Sequence, residues 1–114
     1  MQKFERLELG GELHGAVMVY QAMTVSQISE GGMRVETSAP LHLNSLHDFR
    51  LTLGRLTVVV KGRIVHCRLT ELEDGQVTYR AGVEFVEPSE HVLNAIRGFI
   101  TGMKARARAA EAAR

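Results

Sequence analysis

The apolar positions of this chain recur at two periods. Up to about residue 86 they alternate with polar ones, the period of a half-buried strand. After Pro88 they recur every three or four residues, the period of a helix. Residues 14–21 (HGAVMVYQ) read as a short strand. The run Ser26-Gln27-Ile28-Ser29-Glu30-Gly31-Gly32 breaks it with turn chemistry: paired glycines tolerate positive φ, and serines bond to nearby amides. Residues 33–37 (MRVET) alternate again, and Pro40 interrupts them.

From Phe49 the alternation is sustained. Phe49, Leu51 and Leu53 share a face, with Arg50 and Thr52 on the other; Gly54-Arg55 then turns the chain. Leu56, Val58, Val60, Gly62 and Ile64 fall on one face of the next strand, and Thr57, Lys61 and Arg63 on the other. Continued alternation puts His66 with Ile64 and turns Cys67 away. Gly62 in mid-strand predicts a bulge or bend. Glu73-Asp74-Gly75 carries the Asp-Gly pair of a tight hairpin. Tyr79, Ala81, Val83 and Phe85 then share a face opposite Thr78, Arg80 and Glu84. Ser89 is the expected helix N-cap, with Glu90 in the first turn. Val92, Leu93, Ile96, Phe99, Ile100 and Met103 form the apolar stripe; the Ala/Arg-rich end from Lys104 extends it and frays.

This order predicts a mostly β fold: a small antiparallel β-barrel of about six strands, closed against a C-terminal α-helix. The reading is a single domain over residues 1–114, with the barrel over about 6–86 and the helix over about 89–108. Val58, Val60, Ile64, Val83 and Phe85, with Leu93, Ile96 and Ile100 of the helix, are the expected core.

Composition changes this picture little. Of 114 residues, 45% are apolar and 24% charged, which argues against disorder. Lys plus Arg is 14 against 13 for Asp plus Glu, so net charge gives no support to a nucleic-acid or membrane-surface partner. One cysteine excludes an intrachain disulfide. No apolar run approaches a bilayer span, and the N-terminus lacks a signal-type apolar core, so a cytoplasmic protein is expected.

Catalytic and metal constellations are weak. No two of His14, His42, His47, His66 and His91 stand four apart, and Cys67 has no CxxC partner, so no metal is expected. His66 and Cys67, adjacent on a strand, point to opposite faces and make no nucleophile pair. There is no GxSxG elbow and no phosphate-binding Walker loop, so an enzyme is not expected. Gly98 and Gly102 form a GxxxG in the helix. Charged neighbours exclude a membrane dimer, and close packing of the helix on the barrel is the better reading, with a homodimer contact as the alternative.

The turn segment carries a resemblance. Ser29 and Gly32 in QISEGGMRV, the strand KGRIVHCR, and Gly82, Val83 and Phe85 in YRAGVEF follow in order, with Arg6 about twenty residues before the turn. Together, over about residues 2–102, these resemble the PilZ domain, the bacterial module that binds cyclic di-GMP. The resemblance implies a ligand site built from an RxxxR motif and a [D/N]xSxxG turn. Arg6, Ser29 and Gly32 match; Gln2 stands for the first arginine and Gln27 for the turn acid or amide. Losing a bidentate Arg–guanine contact costs roughly 1–3 kcal/mol, about tenfold to a hundredfold in affinity. Gln has no charge and no guanidinium plane. Ser29 and Gly32 serve equally well simply to shape the turn.

The resemblance therefore implies a regulatory binding module of cyclic di-GMP signalling, acting as a protein-interaction adaptor with weak or no nucleotide binding. The alternative is a functional cyclic di-GMP receptor in which His66, Arg34 or Arg63 replaces the missing arginine. Cyclic di-GMP is the one candidate ligand; no cofactor is implied, and the chain is expected as a monomer or homodimer. A small nucleic-acid-binding barrel is a third reading, disfavoured by 5% aromatics and near-neutral charge.

Overall fold

The computed structural model describes residues 4–14, 16 and 20–113. Five strands and one helix follow in order: β1 (Thr24–Ile28), β2 (Gly32–Thr37), β3 (Leu46–Leu53), β4 (Leu56–Glu73), β5 (Gln76–Phe85) and α1 (Glu90–Ala112). Every strand pair is antiparallel, and the sheet order is β1-β2-β5-β4-β3. The fold is thus mostly β with a C-terminal helix, as the alternation predicted.

The barrel is loose rather than closed. β1 and β3 are the two edges and do not pair. They face each other across a groove of about 1040 Å³ lined by Val25 and Ile28 on one side, Phe49 and Leu51 on the other, and Phe99 and Met103 of α1. The sixth strand expected over residues 14–21 lies partly outside the described residues. Its described members His14, Ala16, Tyr20 and Gln21 are not in a strand.

Local chemistry explains the joints. Asp74 and Gly75 both have positive φ (50° and 76°), the conformation a two-residue hairpin with the native strand twist requires. Ser89 caps α1: its Oγ accepts from the Val92 amide at 3.2 Å. The helix runs four residues past the expected end of 108, because the alanines and arginines after Lys104 favour helix and no Gly or Pro stops them.

The core holds Met33, Val35, Phe49, Leu51, Val58, Val60, Ile64, Ala81, Val83, Phe85, Val92 and Ile96. All five expected strand positions are in it. Of the three expected helix positions Ile96 is fully buried, while Leu93 and Ile100 are half-buried. Gly62 makes no bulge. It pairs with Phe85 and His47, and the space of its missing side chain is filled by Val83 and the Phe49 ring. The bulges lie further on, where register shifts between Ile64 and His66 and between Leu69 and Glu71.

The first bulge corrects two expectations. One extra residue, Val65, reverses the alternation. His66 is therefore on the face opposite Ile64 and is exposed, while Cys67 turns inward, packs against the core and accepts a weak hydrogen bond from the Leu41 amide at 3.5 Å. The GxxxG reading is corrected too. A Cβ on Gly98 or Gly102 would meet no packed neighbour, so these glycines do not bring α1 close to the sheet.

Candidate functional site

The outer face of the sheet, opposite the core, collects the polar residues of β1, β2, β5 and β4. Register arranges them in rows across the strands. The central row runs Gln27–Arg34–Gly82–His66. One row along is Glu36–Arg80–Arg68, and on the other side is Gly32–Glu84–Arg63. Three independent irregularities make this alignment: the register shift at Ser26 in β1, the bulge at Val65, and the glycine at position 82.

Gly82 is the floor of the central row. A Cβ there would overlap the His66 ring, so the absence of a side chain lets the imidazole lie on the backbone of β5. Arg34 stands on the other side of Gly82. Its Nε donates to Ser26 Oγ at 3.4 Å, and Ser26 Oγ donates to the Arg34 carbonyl at 3.2 Å. Arg34 is in no ion pair among the described residues, so its amino groups remain open to a ligand. Arg63, by contrast, is engaged by Glu84 at 3.7 Å.

The turn between β1 and β2 borders the row. The Ser29 amide donates to the Gly32 carbonyl at 2.8 Å, and Ser29 Oγ accepts from the Gly31 amide at 3.3 Å. Gly32 is required by contact: a Cβ would run into the Val83 carbonyl oxygen. Ser29 and Gly32 thus shape the turn, and both remain beside the open row. Glu30 at the tip accepts from Arg97 Nε of α1, and this hydrogen bond, then the attraction of the charges, raises the Arg97 guanidinium above its ordinary value.

The remaining expected site residues divide. Gln27 is opposite Arg34, within the row. Arg6 is exposed, outside any strand and without a hydrogen bond among the described residues. Gln2 lies outside the described residues. Sequence reasoning did not single out Arg68, Arg80 or Glu36. Arg80 Nη2 pairs with Glu36 Oε1 at 3.2 Å, and Arg80 Nε is buried without a partner among the described residues. The alternation in YRAGVEF already set Arg80 apart from the core; its juxtaposition with Arg68 depends on the bulge, which has no letter of its own. Among the described residues no three His, Cys, Asp or Glu side chains gather as a metal site would require, and no helix is long and apolar enough to cross a membrane.

Chemically, the face offers guanidinium and imidazole planes for stacking, neutral acceptors and donors at Gln27 and Ser29, and cations for phosphate. The comparisons agree with this architecture. The family model of the PilZ domain matches residues 3–102. The structure of K. pneumonia MrkH in its apo state is similar with a TM-score of 0.64 at 17% identity, covering 75% of this chain and 41% of that one. At that identity the likeness carries the fold, and the chain spans well under half of that protein. No curated protein matches.

Proposed function

The chain belongs to the PilZ domain family, and we propose that it is a regulatory binding module of cyclic di-GMP signalling, which takes the dinucleotide weakly on its outer sheet face and passes the signal to a protein partner. The observation that carries this reading is the Gln27–Arg34–Gly82–His66 row beside the Ser29–Gly32 turn. Arg34 supplies a guanidinium where the family motif has lost its first arginine to Gln2, and the His66 ring supplies a plane for a base. Weak binding follows from the substitutions. One lost bidentate contact, worth roughly 1–3 kcal/mol, moves a micromolar receptor to about tens or hundreds of micromolar.

Titration of the purified protein with cyclic di-GMP in a calorimeter tests this. Saturable binding in that range is expected. A second reading, an adaptor that binds no nucleotide, is favoured by the two motif positions taken by Gln2 and Gln27, and silence in the titration would establish it over the first. Binding of arbitrary oligonucleotides instead would revive a nucleic-acid role.

A further inference from the structure

We propose that Arg68 and Arg80, directly opposite each other on β4 and β5, form a phosphate subsite for the dinucleotide; this rests on the nucleotide reading above. Like charges placed opposite each other in an antiparallel pair destabilise the sheet. Among the described side chains one carboxylate, Glu36, touches either of them: it takes one amino group of Arg80. The Arg80 side chain nevertheless stays 31% exposed beside that carboxylate, so part of its guanidinium end is open to an acceptor from solvent. Arg68 is exposed and is in no ion pair among the described side chains. Arg34 and His66 flank the pair from the adjoining row, so three guanidinium groups and an imidazole share this stretch of the outer face. In a chain whose formal charge is only +1, this concentrates cations on one face.

The spacing suits a nucleotide. Successive residues on one face of a strand lie about 7 Å apart, comparable with the reach from a base to its phosphate. A base on Arg34 and His66, over Gly82, therefore brings a phosphate over the Arg68–Arg80 pair. The phosphodiester oxygens accept from both guanidinium groups and relieve their mutual repulsion.

The test compares wild type, Arg68→Gln and Arg68→Lys for cyclic di-GMP binding by calorimetry at about 50 and 200 mM salt, with thermal unfolding of each protein free of ligand. Arg68→Gln should weaken binding about tenfold and flatten its salt dependence, the loss expected for one charge-assisted contact. Arg68→Lys should keep most of the salt dependence. Without ligand, Arg68→Gln should melt at the same temperature or higher, because one of two opposed charges is gone. If wild type binds and Arg68→Gln binds equally well with the same salt dependence, the subsite is wrong and the nucleotide reading stands. If Arg68→Gln loses binding and also melts lower, Arg68 is structural and the subsite is again wrong. If wild type does not bind, both readings fall.

Discussion

The imidazole of His66 lies against the backbone of Gly82 on the neighbouring strand, in the space a Cβ would occupy. The two are register partners, and Gly82 is buried because the ring covers it. The glycine of the YRAGVEF strand is thus a seat for a side chain on the outer face of the sheet. It has no positive φ to require it.

Gly82→Ala should push the His66 ring off the sheet. The ring is exposed and free to swing outward, so the stability loss should be small, about 1 kcal/mol or less. Cyclic di-GMP affinity should nevertheless fall, towards that of His66→Ala. Chemical denaturation and calorimetry on both variants check this; an unchanged affinity in Gly82→Ala would show that the ring position is immaterial to the ligand.

At Gly32 the obstacle is backbone. The added Cβ would meet the Val83 carbonyl oxygen, so a strand rather than a flexible side-chain end would have to shift. Gly32→Ala should cost about 1–3 kcal/mol. Gly31→Ala, where nothing lies within 4 Å, should stay within about 0.5 kcal/mol of wild type. Urea unfolding of the pair decides whether the motif glycine is held by packing.

Phe85→Ala should cost about 3–5 kcal/mol, since Phe85 is only 7% exposed and packs within the core at the end of β5. A negligible change in unfolding free energy would place its ring outside the core.

Gly98→Ala and Gly102→Ala should each stabilise the protein by about 1 kcal/mol, because both sit in a helix with open space over them. Thermal unfolding should show a rise of several degrees. If these glycines seat a second helix in a homodimer, sedimentation at several concentrations would show the substitutions weakening association.

Gln2→Arg combined with Gln27→Asp should tighten cyclic di-GMP binding at least about tenfold, by returning the guanidinium and the carboxylate that the family motif uses. Gln27 stands opposite Arg34, so the new carboxylate also has a cation to orient it. Equal affinity of the double variant and wild type in calorimetry would mean that the Arg34 row already does the work of the lost motif.

The strands and the helix were legible because each buries one face, and one-sided burial writes a period into the sequence. Val58, Val60, Ile64, Val83 and Phe85 were readable on that ground alone. The sides of His66 and Cys67 were not. A bulge changes the count of residues between two core positions without requiring any special residue, and Val65 is an ordinary strand former. Gly62 drew attention as the irregular residue, yet it serves packing beneath Phe49 and Val83. The candidate site was half legible. Gln27, Ser29 and Gly32 fall within six residues and stood out as a motif. The Arg68–Arg80 pair needs the pairing of two strands and the position of a bulge between them, which only the folded chain supplies.

The single extra residue at Val65 also bears on how this family is compared by sequence. It decides whether an imidazole or a thiol faces outward, while leaving the letters HC unchanged. Two relatives with the same residues after the IV step, one with the bulge and one without, would align perfectly and present opposite side chains to solvent. Assigning outward-facing residues along β4 by column is therefore safe only where the bulge is shared.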